Sequence, residues 1–247
     1  MAEWVEGRVI AKRQWADHLF SVLIDAEIET FKAGQFTRVG LDIGGERVGR
    51  PYSFVNAPHE RPLEIYFNIV PEGPLSSHLA SLRSGDPIYV LESANGHLIL
   101  DEVPQSRDLW MLATGTAIGP FLSILKTREP WERFDRVVLV HAVRWTAELT
   151  YQDVIRKLED EYPDQLTFIP FVSREATDFA LSGRIPAAIT DGSLEERAGL
   201  HIHPETSQVM LCGNSAMIND TTAALEARGL SRNRRRRPGQ ITTEKYH

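Results

Sequence analysis

The patterning of this chain changes once, near residues 101–107, and that change limits the folds open to it. Ahead of it, Trp4–Lys12, Leu19–Ile24, Phe36–Leu41, Tyr52–Asn56, Leu63–Val70 and Pro87–Leu91 are short runs rich in β-branched and aromatic residues, each bounded by Gly, Pro, Asn or Asp. Six such runs predict a small antiparallel β-barrel, closed or nearly so. Only Leu75–Leu82 reads as a helix there, with Ser76 or Ser77 as its N-cap and Gly85-Asp86 as its stop. After Pro104 the apolar strands Leu109–Thr114, Val137–Val143, Thr167–Val172 and Gln208–Cys212 alternate with helical segments at Pro120 to about Thr127, Tyr151–Tyr162, Ile185–Ile189 and about Ala216–Arg228. That alternation predicts an α/β domain with a parallel sheet covered on both faces. Two domains are expected, a barrel over 1–103 and an α/β domain over 104–247.

Composition narrows the classes further. The chain has 247 residues, enough for two cores without covalent staples, and Cys212 is its only cysteine. A disulfide, an iron–sulfur cluster or a thiolate zinc site within one chain is thereby excluded. Met1-Ala2-Glu3-Trp4-Val5-Glu6 is acidic where a secretory leader is basic and then apolar, and no run reaches the roughly 18 apolar residues of a membrane helix. A cytoplasmic protein without a membrane partner is expected. The net charge of −7 argues against nucleic acid as the main partner. No metal is expected either, since His201-x-His203 lacks a third ligand. His141, inside an apolar strand, reads as a core histidine with its polar atoms satisfied.

Polar chemistry concentrates in a few segments. In Arg50-Pro51-Tyr52-Ser53 an arginine, an aromatic ring and a hydroxyl follow one another along a strand, so Arg50 and Tyr52 share a face while Ser53 points the other way. Arginine suits a pyrophosphate, tyrosine can cover a flavin ring or its ribityl chain, and a serine hydroxyl can hydrogen-bond a ring nitrogen. Gly73-Pro74-Leu75-Ser76 then brings a glycine and a hydroxyl to a helix start, which suits phosphate. Between the two, Tyr66-Phe67-Asn68-Ile69 lies on a strand that can edge the same ring.

In the second half, Gly115-Thr116-Ala117-Ile118-Gly119-Pro120 sets backbone amides at the carboxyl end of the first parallel strand, where open α/β sheets bind ligands. It is not a Walker loop, lacking Gly-Lys-Ser/Thr, and not G-x-G-x-x-G, having Ala117 at the second glycine. Alone it reads as a tight strand-to-helix turn. The next two strands end in Val143-Arg144 and Ser173-Arg174, with Arg184 close behind. A site for NAD puts an acid near the ribose hydroxyl. Two arginines, a serine and Arg184 instead favour a 2′-phosphate.

Together with Val172-Ser173-Arg174-Glu175, Cys212-Gly213-Asn214 and Glu244-Lys245-Tyr246, these segments make the whole chain resemble the ferredoxin/flavodoxin–NADP+ reductases of bacterial type. The resemblance implies an FAD-binding barrel, then a Rossmann-like NADP-binding domain whose C-terminal tail returns to the flavin. The activity it implies is electron passage between NADPH and ferredoxin or flavodoxin. By the same resemblance Arg50, Pro51, Tyr52, Ser53, Tyr66, Phe67, Asn68, Ile69, Pro74, Leu75, Ser76 and Thr116 hold FAD. Val143, Arg144, Ser173, Arg174, Arg184, Asn214, Ser215, Ala216 and Asp220 hold NADPH. Ser53 would bond near the reacting flavin nitrogen, Cys212 would set the depth of the nicotinamide, and Glu244 would relay a proton or bond the carboxamide. Tyr246 would cover the flavin ring, and His247 is a candidate against the FAD adenine.

Charge supplies the partner expectation. Residues 1–103 carry nine Lys and Arg against fifteen Asp and Glu, whereas Arg228, Arg232 and Arg234–Arg237 lie in a stretch with no acid before Glu244. Such a run is a solvated surface or a landing patch for an acidic carrier. A monomer is expected. The rival on the same fold is an NAD(P)H-dependent flavin reductase or oxygenase-linked reductase, and the rival from another class is a nucleotide-binding regulatory module without catalysis.

Overall fold

The computed structural model describes residues 3–246. The chain divides into two compact units, one of residues up to Ile99 with Gly119–Thr127, the other of Leu100–Ile118 with the residues from Arg128 on. The division falls at Ile99/Leu100 where the sequence suggests 103/104, and the segment after the glycine turn groups with the first unit.

The first unit is a six-stranded antiparallel sheet of β1 (Trp4–Ala16), β2 (Leu19–Asp25), β3 (Phe36–Ile43), β4 (Glu46–Ser53), β5 (Leu63–Asn68) and β6 (Pro87–Leu91). Their order is β4-β3-β6-β1-β2-β5. Past β4 the chain continues onto the far strand: Phe54 bridges Ile65, Val55 N–H donates to Glu64 O at 2.9 Å, and Asn56 Oδ1 accepts from Glu64 N at 2.8 Å. These contacts join the two edges of the sheet, as the barrel expectation requires. Val22, Val39, Phe54, Leu63, Ile65, Ile88 and Val90 fill the interior, and Phe31 stacks on Phe54 with centroids 4.0 Å apart.

Two expectations in this unit are corrected. The fourth strand is Glu46–Ser53, not Tyr52–Asn56, because Gly44-Gly45, both at positive φ, makes a two-residue hairpin turn whose second arm is too polar to announce itself. Helix α1 is Ser76–Ser81, and neither Ser76 nor Ser77 caps it: Leu75 holds the N-cap position with no side-chain bond. Ser76 Oγ instead accepts from Val70 N at 2.9 Å, tying the preceding loop. Helix α2 (Gly119–Leu125) completes the unit, with Ser123 Oγ donating to Asn56 O at 2.7 Å and Lys126 Nζ to Val55 O at 3.1 Å.

The second unit is a parallel sheet of β7 (Asp108–Thr114), β8 (Arg136–Val143), β9 (Leu166–Val172), β10 (Leu181–Ser182), β11 (Ser207–Gly213) and β12 (Ile241–Lys245). Helices α3 (Glu129–Arg133), α4 (Gln152–Glu161), α5 (Ile185–Asp191), α6 (Ser193–Ala198) and α7 (Ser215–Glu226) connect them. The order is β10-β9-β8-β7-β11-β12, so the chain builds outward from β7 and then crosses to its other side. Trp110, Leu112, Val140, Phe171, Leu211 and Ile218 belong to one continuous core on one face. The last strand carries no signal of its own in the sequence: five residues of mixed polarity, it is held by pairing alongside β11 from Val209↔Ile241 to Gly213↔Lys245. The two-residue β10 and the short helices α3 and α6 were likewise below what periodicity reveals.

Gly34 decides how closely the loop before β3 approaches its neighbour. Its φ is +97°, and a Cβ there would sit 2.0 Å from the Leu98 carbonyl oxygen, which is backbone and has nowhere to go. Gly34→Ala should therefore cost about 2–4 kcal/mol, combining left-handed strain with overpacking. Urea unfolding is the check, and an unchanged midpoint would mean that this approach is not tight.

Candidate functional site

In the barrel unit the candidate residues fall into exposed and interior groups. Arg50 is exposed and gives one guanidinium N–H to Gly49 O at 2.9 Å. Tyr52, on the same face, is half-buried, its ring edge-on to Phe67 at 5.9 Å; burial pushes its phenol up to about 12. Ser53 is buried on the opposite face, and Pro51 sits in β4 at the edge of the ladder order, where a missing N–H is tolerated. On β5, Phe67 belongs to the barrel core and Tyr66 is buried on the opposite face, edge-on to Trp15; Asn68 is exposed, and Ile69 lies one residue beyond the strand with its N–H on His18 O. Leu75 is part of the barrel core, Pro74 is exposed, and the Ser76 hydroxyl is engaged in the turn described above.

In the second unit the candidates meet at one edge. The carboxyl ends of β7, β8, β9 and β11 present, in turn, Thr114-Gly115-Thr116, Val143-Arg144, Val172-Ser173-Arg174 and Gly213-Asn214. The topological switch lies between β7 and β11, the crevice where such sheets bind ligands. The approach there is close: a Cβ on Gly213 would lie 2.3 Å from Thr114 Oγ1 and 2.6 Å from Met217 Cε. At Gly115, φ +55°, an added Cβ would meet nothing within 4 Å, so the turn opens onto free space. Asn214 caps α7, its Oδ1 accepting from Met217 N at 2.9 Å, and Ser215, Ala216 and Asp220 lie exposed in the first turns of that helix.

The arginines stand free while nearby acids are engaged. Ser173 N–H donates to Val143 O at 3.1 Å and Arg174 N–H to Arg144 O at 2.9 Å, which sets Arg144 and Arg174 on adjacent strand ends. Leu181 and Ser182 pair with Phe171 and Val172, so Arg184 stands as far past β10 as Arg174 stands past β9. Glu148, nearly buried, accepts from Arg144 N at 2.9 Å and Trp145 N at 3.2 Å. Glu175 accepts from Thr146 N at 2.8 Å, and that bond holds its carboxyl below the usual range. Among the described residues no ion pair takes the guanidinium of Arg144, Arg174 or Arg184.

The end of the chain closes over the last parallel strand. Cys212 and Glu244 are register partners, and Tyr246 N–H donates to Gly213 O at 2.8 Å. Cys212 is fully buried; burial first, and then the Glu244 carboxylate, push its thiol well up, so it remains protonated at neutral pH. Contact between its sulfur and a ligand requires the residues that cover it to move. Burial raises Glu244 to about 7, which leaves it poised between carboxyl and carboxylate near neutrality. His247 lies outside the described residues.

Residues 111–223 match the family model of the oxidoreductase NAD-binding domain. The flavodoxin/ferredoxin–NADP reductase of Escherichia coli strain K12 is 49% identical over 247 residues, all of both chains. The chain belongs to the flavodoxin/ferredoxin–NADP reductase family. The ferredoxin–NADP reductase of Pseudomonas aeruginosa is 36% identical over 239 residues, 93% of this chain and 92% of that one. Among solved structures, a ferredoxin NADP+ reductase from Neisseria gonorrhoeae with bound FAD and NADP superposes with a TM-score of 0.94 at 35% identity over 99% of each chain.

Within this reductase framework, two side chains beside the strand ends differ from their reading in the sequence. Glu148 reads as an ordinary acid of a polar loop, and only the corner after β8 shows that it serves two backbone amides. His141 is fully buried as expected but only half satisfied: Nε2 lies 2.9 Å from Gly115 O, and among the described residues Nδ1 has no partner. Burial holds its pKa near 4, so the ring is neutral.

These two shifted groups bend stability in opposite directions. His141, lowered from 6.5 to about 4, resists a proton that the unfolded chain accepts, so stability falls as pH drops through that window. Glu244, raised from 4.5 to about 7, keeps a proton that the unfolded chain has lost, so stability falls as pH climbs from 4.5 through 7. Glu244→Gln should therefore gain roughly 2–3 kcal/mol over the parent above pH 7 and almost nothing at pH 4.5. Denaturation midpoints across pH 4–8 test this, and a parent–variant difference independent of pH would remove the buried-carboxyl assignment.

Proposed function

We propose that this protein oxidises NADPH through bound FAD and passes the electrons singly to flavodoxin or ferredoxin. The observation that carries the nucleotide half is the set of three guanidinium groups at the ends of β8 to β10, with Glu148 and Glu175 bonded to backbone amides instead. Carboxylates so engaged leave the arginines for a 2′-phosphate, which forms charge-assisted, often bidentate bonds with guanidinium. The free space above Gly115 and the glycine required at 213 suit close passage of a pyrophosphate. NADPH is assigned to the α/β domain, 104–247, with Glu244 bonding the carboxamide.

FAD is assigned to the barrel domain, 1–103. Arg50 keeps most of its donors for a pyrophosphate, and Tyr52, a neutral phenol with one side exposed, offers a flat surface to a ring system. FAD, when bound, supplies the exchange between two-electron hydride chemistry and one-electron transfer. The side chains bind, orient and keep water out. The name of the Escherichia coli relative supports flavodoxin and ferredoxin as the carriers over a free flavin or an oxygenase.

The arginine-rich segment supports an acidic carrier. Arg228 is bound to Glu195 at 2.6 and 2.9 Å and Arg232 to Glu226 at 3.2 Å, so these two are structural. Arg234 and Arg237 exchange backbone hydrogen bonds of 2.8 and 3.1 Å across a tight turn with Arg235 and Arg236 at its tip, all four exposed. Nucleic acid is not proposed as a partner, given the net charge of −7. A cytoplasmic monomer is inferred from the buried lone thiol and from large exposed apolar side chains that are few and scattered, namely Ile10, Val70, Trp145 and Phe179.

Two outcomes check this reading. Arg174→Ala should lose a charge-assisted bond of about 1.5–3 kcal/mol, roughly ten- to a hundredfold in NADPH affinity, and barely alter NADH use; equal losses with both nucleotides would contradict it. Replacing Arg235, Arg236 and Arg237 by Ser should slow carrier reduction at low salt and flatten its salt dependence, since such steering is screened over roughly 8 Å at physiological ionic strength. NADPH oxidation with a small neutral acceptor should stay near normal. Carrier turnover unaffected at low salt would make the turn a solvated surface only.

A further inference from the structure

His141 stands in the middle of the parallel sheet, opposite Ala113 of β7, and takes no part in the chemistry described above. Its neighbour Val140 faces the main core of the unit, so alternation puts His141 on the other face, where it is completely buried. Its Nε2 lies 2.9 Å from Gly115 O. A carbonyl only accepts, so Nε2 carries the ring proton and Nδ1 is a bare acceptor. Among the described residues that Nδ1 has no partner.

A buried acceptor left unpaired is unfavourable, and packing alone would be better served by a leucine of similar size. The imidazole therefore calls for an explanation in what its donor does. A trans peptide is planar, with its C=O and the following N–H pointing in opposite directions. A donor that holds the Gly115 carbonyl down toward the sheet thus turns the Thr116 N–H up and away from it. Thr116 lies in the first turn of the short 3-10 helix Gly115–Ile118, where an N–H has no acceptor inside the helix. Gly115 itself, at φ +55° with open space above, offers little of its own to hold that peptide in place.

We propose that His141 is a positioning residue for the dinucleotide site, fixing the Gly115–Thr116 peptide from beneath so that the Thr116 N–H faces the phosphates of bound NADP, a role for this backbone amide apart from the FAD contact that the resemblance implies for Thr116. The inference rests on the dinucleotide reading of the strand ends. It separates two parts of one site. The arginines at the ends of β8 to β10 grip the 2′-phosphate on their own, whereas the turn after β7, one to three strand spacings away at about 4.8 Å each, depends on His141.

The test uses the FAD-loaded enzyme and calorimetric titration with two probes, NADP+, which spans both parts, and adenosine 2′-monophosphate, which carries the 2′-phosphate for the arginines but no 5′-phosphate for the turn. His141→Leu should bind NADP+ about tenfold more weakly and adenosine 2′-monophosphate within twofold of the parent, with a melting temperature unchanged or raised. His141→Gln, whose amide can donate from nearly the same place, should recover most of the NADP+ affinity. His141→Phe keeps an aromatic volume without the donor and should match the leucine variant, which secures the result if leucine folds poorly. Unchanged NADP+ affinity in the folded Leu or Phe variant, equal losses on both probes, or a glutamine variant as weak as leucine would each overturn the role. A parent enzyme that binds neither probe would instead overturn the dinucleotide reading itself.

Discussion

A cluster of cations at the end of a sheet stays available to a ligand only if the acids around it are engaged elsewhere. That condition governs the second unit. Glu148 and Glu175 lie within a few residues of Arg144 and Arg174, and either could have formed an ordinary surface ion pair, worth little in water. Both accept backbone N–H groups of residues 144–146 instead. One arrangement does two things: it satisfies amides at the corner after β8, where the strand ladder has ended, and it leaves the guanidinium groups without a competing partner. Selectivity for a phosphorylated nucleotide then follows from what the acids are doing as much as from the arginines.

The second governing feature is the crossover between β7 and β11. Because the chain builds outward on one side of β7 before returning on the other, the two strand ends that meet at the switch come from segments almost a hundred residues apart in sequence. Their approach is close enough that position 213 has no room for a side chain beside Thr114 and Met217. The last strand lies beside β11 and the Tyr246 N–H donates to Gly213 O, so backbone pairing brings residues 241–246 to the switch point.

Most of the fold was legible because its signals are local and strong. The strands β7, β8, β9 and β11 are continuous apolar runs, and their limits fall within a residue of those expected from Leu109–Thr114, Val137–Val143, Thr167–Val172 and Gln208–Cys212. What escaped was fixed by partners distant in sequence. The second arm of the β3–β4 hairpin is polar on its outer face, and β12 exists because β11 offers it an edge. The site divides the same way. Arg144, Ser173 and Arg174 could be named from their position at strand ends. The roles of Glu148 and His141 could not, since a carboxylate that accepts backbone amides and a histidine that holds a carbonyl are indistinguishable in sequence from an exposed acid and a filler of the core.

The arginine-rich segment shows how a chain of net charge −7 can present a cationic feature without contradiction. Net charge governs solubility and long-range repulsion, but at physiological ionic strength fields fade over roughly 8 Å, so a partner close to the surface senses only the nearest few groups. Sequence places six arginines in this stretch; structure sorts them. Arg228 closes a bidentate pair with the buried Glu195, whose carboxyl is held down by that pairing against the opposing effect of burial, and Arg232 pairs with Glu226. Four remain, gathered on a turn held together by backbone bonds between Arg234 and Arg237, so its shape does not depend on neutralising its charge. Density of unpaired charge on a defined turn, and not the count of basic residues in the chain, is the quantity that an acidic partner would recognise.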